Sequence, residues 1–138
     1  MYNTDIPFRR PEVLGKHFGS IMVVDDEIDI ARLFQLYLED SGYQVKVYND
    51  PLKALSEFES GKYDLILLDV RMPRMNGFML YRSLKRLDIN CKVCFITAFE
   101  TYYKSLKEFF PHLDVSCYIQ KPVTREKLLD FIEKELIS

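Results

Sequence analysis

The side chains that could share chemistry are Asp25, Asp26 and Glu27 in one run, then Asp69, Thr97 and Lys121. Each follows an apolar stretch. Ile21-Met22-Val23-Val24 leads into the acid run, Leu65-Ile66-Leu67-Leu68 into Asp69, and Val93-Cys94-Phe95-Ile96 into Thr97. A shorter stretch ends near Lys121-Pro122. Carboxylates gathered at one place repel, and at least one of them should have a raised pKa. A hard divalent cation removes that conflict, and oxygen-only ligands point to magnesium or calcium. Mg²⁺ typically takes one or two carboxylates, keeps waters and completes its shell with phosphate oxygens. Lys121 suits a phosphate oxygen as a point charge, and the Thr97 hydroxyl suits another. One carboxylate is then left to attack phosphorus.

Singly, each residue also fits ordinary loop chemistry, and Asp69 alone fits a helix-capping aspartate. The repeated placement at strand ends favours a shared site. Other site types fit less well. A flavodoxin would cradle phosphate with small hydroxyl residues and glycine after the first strand, where Asp25-Asp26-Glu27 would repel a bare phosphate. A haloacid-dehalogenase-type phosphatase needs a second acid two residues past its nucleophile, and Arg71 stands there. A dinucleotide-binding reading lacks the glycine fingerprint.

Positioning such residues requires strands buried on both faces, because unbroken apolar runs mark parallel strands covered by helices on both sides. The first strand ends at Val24. A helix follows with Ile30, Phe34, Tyr37 and Leu38 on one face and ends at Gly42. Gln44-Val45-Lys46-Val47 alternates, as an edge strand with one wetter face would. Asp50-Pro51 reads as an N-cap and N1 proline of a helix through Leu55 and Phe58, closed by Gly61. The strand to Asp69 comes next, then a turn through Pro73. Gly77 leads a helix expected to turn Leu80, Tyr81, Leu84 and Leu87 inward. A fourth strand over about 91–96, a fourth helix over about 100–110, a short fifth strand over about 116–119 and a last helix from Thr124 to Ile137 complete the chain. The last helix should bury Leu128, Leu129, Ile132 and Leu136. This is an α/β chain with a five-stranded parallel sheet, expected in the order 2-1-3-4-5 with helices on both faces. That order places Asp25, Asp26 and Asp69 at the topological switch point, outside the strands' carboxyl ends.

The 138 residues suit one domain, residues 20–138, preceded by a tail over 1–19 without a firm period. A net charge of −2 gives no global reason to expect nucleic acid or an acidic membrane as partner. No apolar run reaches spanning length and no secretory signal opens the chain, so the expected location is cytoplasmic. Cys91 and Cys94 would lie on opposite faces of a strand, roughly 10 Å apart, too far for a disulfide. With Cys117, His17 and His112 offering no ligand spacing, all three cysteines read as buried and inert.

Together, Val24-Asp25-Asp26-Glu27, Leu68-Asp69-Val70-Arg71-Met72-Pro73-Arg74-Met75-Asn76-Gly77, Ile96-Thr97-Ala98 and Ile119-Gln120-Lys121-Pro122 resemble the motifs of a response-regulator receiver domain of two-component signalling, with its flavodoxin-like receiver fold. The resemblance covers about residues 20–137. It implies that Asp69 accepts a phosphoryl group from a histidine kinase or phosphotransfer protein. Asp26 and Asp69 would ligate Mg²⁺ directly, Asp25 largely through water, and Arg71 through its backbone carbonyl. Thr97 and Lys121 would hold the phosphoryl group, with Thr97 and Tyr118 as the switch pair. A protein target would read the face built on the fourth helix, fifth strand and fifth helix. The resemblance allows a homodimer on phosphorylation, although Val123 departs from the phenylalanine many relatives carry. It also implies a cis peptide before Pro122, and a signalling phosphoacceptor that assists only its own phosphorylation and dephosphorylation.

Phe99, two residues after Thr97, cannot orient a water, which implies a long-lived phosphoryl state. Tyr102, Leu106 and Phe109 form one stripe of the expected fourth helix, and Tyr103, Leu106 and Phe110 another. A wide core stripe is the first reading and a partner patch the second. The alternatives are a pseudo-receiver with a vestigial pocket and a metal-dependent phosphatase. Only Val123 to Ser138 follow Lys121-Pro122, too few for a DNA-binding element, so the expectation is output by protein contact alone or a chain cut from a longer one.

Overall fold

The computed structural model describes residues 19–98, 108 and 117–137. Its strands are β1 (Ser20–Val24), β2 (Gln44–Tyr48), β3 (Leu65–Asp69), β4 (Lys92–Thr97) and β5 (Cys117–Gln120). Its helices are α1 (Ile28–Asp40), α2 (Pro51–Ser56), α3 (Gly77–Leu87) and a C-terminal helix (Arg125–Ile137). All strand pairs are parallel, in the order β2-β1-β3-β4-β5. The expected fold class and strand order are therefore met. The expected fourth helix and its aromatic stripes lie outside the described residues, apart from Glu108, as do Phe99 and the tail before Gly19.

The unbroken apolar runs are buried on both faces because successive side chains leave a strand on opposite sides. Met22, Val24, Ile66, Leu68, Val93 and Phe95 pack toward α2 and α3. Ile21, Val23, Leu65, Leu67, Cys94 and Ile96 pack with α1 and the C-terminal helix. On β2, Gln44 and Lys46 are exposed while Val45 and Val47 are half-buried, as an edge strand requires.

Local chemistry sets the helix ends. Asp50 accepts from the Leu52 amide at 3.0 Å ahead of Pro51. The N-cap of α3 is Asn76, whose side chain accepts from the Met79 amide at 2.9 Å. Asp69 is thus not that helix's cap. The helix through Phe58 is shorter than expected, ending at Ser56, while Phe58 still packs against the core. Leu87 was expected to face inward but is 52% exposed. It stands at the last position of α3, where the chain leaves the helix toward exposed Ile89 and Asn90. In the C-terminal helix Leu128 and Ile132 are buried, with Leu129 and Leu136 half-buried beside them.

The cysteine reading needs correction. Cys91 is free and buried, on the opposite face from Cys94 as expected. Cys94 and Cys117 are joined in a disulfide, with their Cα atoms 4.6 Å apart. They are register partners on neighbouring strands. An offset within one strand could not reveal that pairing, since it depends on the alignment of β4 with β5.

Gly77 starts α3 by donating from its amide to the Val70 carbonyl at 2.8 Å. A Cβ there would run into the Asp69 carbonyl and the Val70 Cα. Neither is the movable end of a side chain, so the loop must shift. Gly77→Ala should destabilise the protein by about 1–3 kcal/mol, read from the midpoint of urea unfolding. An unchanged midpoint would contradict this close approach.

Candidate functional site at the carboxyl ends of the sheet

Parallel strands end together, so the residues that follow them meet above one edge of the sheet. Asp69 closes β3, Thr97 closes β4, Asp25 and Asp26 follow β1, and Lys121 follows β5. The Lys121 amide donates to the Thr97 carbonyl at 2.8 Å, which extends the β4–β5 pairing and brings lysine and threonine to the same rim. The Lys121–Pro122 peptide bond is cis, as the resemblance implied. A pocket of about 490 Å³ opens here, lined by Asp26, Asp69, Arg71, Thr97 and Lys121 among others.

Oxygen atoms of Asp25, Asp26 and Asp69 lie within 4.8 Å of one another. Asp25 and Asp69 are buried and Asp26 is half-buried. Asp25 accepts from the Glu27 amide at 3.0 Å and from Lys121 Nζ at 2.8 Å. Lys121 Nζ also stands 3.7 Å from Asp69 Oδ1 and 3.5 Å from Glu27 Oε1. The lysine is thus a cation already seated among the acids, turned mostly toward Asp25.

Its charge does not settle the balance. Burial pushes the Asp69 carboxyl up to about 8, the negative charge of Asp25 adds to the rise, and Lys121 only partly opposes them. Burial also raises Asp25, against its bond from Lys121. For Lys121, burial acts downward, but the bond to Asp25 and the charges of Asp25, Asp69 and Glu27 outweigh it and leave the ammonium above its usual range. Crowded carboxylates with oxygen donors only are the surroundings a hard divalent cation fits. Asp25, Asp26 and Asp69 would hold it, with Arg71 beside them in the pocket wall.

Asp25, Asp26, Asp69, Arg71, Thr97 and Lys121 are all brought to one rim. Tyr118 lies apart from the acids, half-buried on the α2–α3 face of β5, with its ring centroid 6.3 Å from that of Phe95. Phe95 in turn meets Phe78 edge-on at 5.2 Å and Tyr81 at 5.5 Å. This aromatic chain was not read from the sequence, because its members come from α3, β4 and β5. Nor was the reach of Glu27 to Lys121. Arg74 holds a left-handed backbone, φ 71°, and its guanidinium meets Asp50 at 2.8 Å, tying the loop after β3 to the start of α2. The cap Asn76 had a readable signal, an asparagine directly before the helix-leading glycine.

Comparison with known proteins agrees with this geometry. The sequence model described as the response regulator receiver domain matches residues 21–133. Transcriptional regulatory protein YkoG of Bacillus subtilis is 35% identical over 120 residues, 86% of this chain and 51% of that protein. Transcriptional regulatory protein RprY of Bacteroides fragilis is 31% identical over 113 residues, 82% of this chain and 47% of that protein. The chain therefore spans about half the length of these relatives. Among solved structures, the non-phosphorylated HemR receiver domain of Leptospira biflexa aligns with a TM-score of 0.76 at 25% identity, over 85% of this chain and 93% of that one. The Thermotoga maritima response regulator TrrA, solved with Mg²⁺ and a beryllium fluoride, aligns with a TM-score of 0.73 at 29% identity, over 83% of this chain and 96% of that one.

The raised Asp69 carboxyl has a consequence for stability. Its proton is held in the folded protein up to about 8 but leaves the unfolded chain near 3.8. Its stabilising contribution is complete below the lower value and is lost as pH rises toward the higher one. In chelator, Asp69→Asn should match the wild type near the lower value. By pH 8 the variant should be clearly the more stable of the two. Added Mg²⁺ should stabilise the wild type far more than the variant at the higher pH. Urea unfolding at both pH values checks this, and a variant no more stable at the higher pH would contradict it.

Proposed function

Because the chain belongs to the response-regulator receiver family, we propose that it is a phosphorylatable switch of a two-component pathway, with Asp69 as the phosphoacceptor. The observation that carries this reading is Asp69 at the end of the central strand, with carboxylates of Asp25 and Asp26 within 4.8 Å and Lys121 Nζ at 3.7 Å. An Asp69 oxygen attacks the phosphorus of a phosphohistidine on a sensor kinase or phosphotransfer protein. The new O–P bond forms as the P–N bond breaks, and the imidazole leaves and takes a proton. Lys121 turns from Asp25 toward a phosphoryl oxygen, and the Thr97 hydroxyl donates to another. Asp25, Asp26, Asp69 and the Arg71 carbonyl would hold Mg²⁺, which supplies positive charge to the oxygens of the group in transfer.

The consequence is a shift between two packings of one sheet edge. A phosphoryl group on Asp69 presents acceptors to Thr97 and Lys121. Thr97 moves toward them, and Tyr118 fills the space it leaves. The size of the shift is limited by these differential contacts. Thr97 and Tyr118 thus act as the switch pair, and the face around β5 and the C-terminal helix passes the signal to a partner protein, or to a second copy of the chain. The protein acts in the cytoplasm, as a signalling phosphoacceptor rather than a turnover enzyme. No described helix is long and apolar enough to cross a membrane.

With Mg²⁺ and acetyl phosphate as donor, the protein should gain one phosphoryl group by mass, and Asp69→Asn should gain none. Lys121→Ala should slow labelling by about tenfold or more. Equal labelling of the Asp69 variant, or no labelling of the folded wild type, would overturn the proposal. Sustained turnover of an added phosphoester would point to a phosphatase.

A further inference from the structure

We propose that Cys94 and Cys117 form a reversible thiol–disulfide site whose partners are low-molecular-weight thiols and disulfides, and whose oxidised state restrains the switch; this rests on the receiver reading above. The placement carries it. Cys94 lies on β4 three residues before Thr97, and Cys117 lies on β5 directly before Tyr118. The bond holds their Cα atoms 4.6 Å apart, so it fastens together the two strands that carry the switch pair. It sits on the opposite face of the sheet from Tyr118 and Phe95, beneath Leu128 and Ile132 of the C-terminal helix. The bond therefore lies apart from the aromatic contacts of the other face. What the bond removes is freedom of β5 to shift against β4.

In a reducing compartment lasting disulfides are rare, and those that occur are mostly transient and redox-sensing. The site's position explains how it would react slowly yet reversibly. Both sulfurs are buried, but Cys117 opens β5, and β5 is an edge strand. A thiolate must reach a sulfur to exchange, so reaction needs local opening of β5 or of the helix over it. Reduction takes two electrons and two protons. A low-molecular-weight thiol attacks one sulfur to give a mixed disulfide and one free cysteine. A second such thiol then releases the other cysteine and leaves as the oxidised small disulfide. Oxidation runs the same steps backward. Glu135 places a carboxylate oxygen within 4.8 Å of both sulfurs, so the reduced trio could hold a metal ion and the exchange belongs in chelator.

The test uses the full chain. Native protein is equilibrated in glutathione buffers of graded redox ratio, quenched in acid, unfolded and alkylated, and its thiols are counted by mass. The count should pass between one, Cys91 alone, and three. Three thiols in every buffer, or one thiol even after prolonged native treatment with dithiothreitol, would overturn the site. Each form is then phosphorylated with acetyl phosphate and Mg²⁺ after removal of chelator, and amide exchange is followed over residues 117–137. Phosphorylation should change exchange there by about threefold or more in the reduced protein and by clearly less in the oxidised protein. An equal response in both forms would overturn the restraint. The double substitution Cys94→Ala, Cys117→Ala should respond as the reduced protein does in either buffer. If that variant does not fold, the two wild-type forms still decide. If neither form takes a phosphoryl group, the receiver reading fails and the coupling with it, while the thiol count separately decides the site.

Discussion

The repulsion between the carboxylates of Asp25 and Asp69, with Asp26 beside them, is the constraint from which the rest of the site follows. Two of these acids are buried, and the cation within reach, Lys121, is bonded mainly to one of them. In low dielectric such a cluster is held at a cost that the surrounding fold must bear. Strands buried on both faces bear it, since Val24 of β1 and Leu68 of β3, directly before Asp25 and Asp69, are fully enclosed. The close approach of Gly77 to the Asp69 backbone fixes the strand end from behind. A frame this rigid keeps the acids from relaxing apart, and so leaves a standing demand for positive charge.

That demand links binding to motion. Lys121 is bonded within the acid cluster, and its amide is bonded to Thr97, so any redistribution of charge over Asp69 acts at the β4–β5 rim. The same two strands carry the Phe95–Tyr118 contact on one face and the Cys94–Cys117 bond on the other. An edge strand joined to its neighbour by few backbone bonds is the natural moving part, because it has one partner rather than two. Charge at the rim, aromatic packing on one face and covalent chemistry on the other therefore bear on the same strand.

Much of this was legible in the sequence, for a physical reason. Parallel strands covered by helices need continuous apolar runs, and the runs of β1, β3 and β4 stop at Asp25, Asp69 and Thr97. Once Asp25, Asp69, Thr97 and Lys121 are placed at strand ends, the topology forces them together. What was not legible depends on how separate elements align. Cys94 and Cys117 are far apart in the chain and meet only through the β4–β5 register, so the reading of inert cysteines failed for that pair. The Phe78–Phe95–Tyr118 chain needs three elements in place at once. Leu87 kept the helical period but not the burial, because the period cannot say which turn closes the helix. At the start of α3, local chemistry was readable but unused, since Asn76, directly before the helix-leading Gly77, carries the capping signal.

The most direct measurement of the central interaction is the titration of the Asp69 carboxyl carbon by NMR, without and with saturating Mg²⁺. The metal-free carboxyl should titrate near 8, raised by burial and its charged neighbours, and well below its metal-free value when Mg²⁺ is present. A metal-free titration close to the ordinary value of 3.8, unmoved by Mg²⁺, would mean that the acids neither crowd one another nor share a cation.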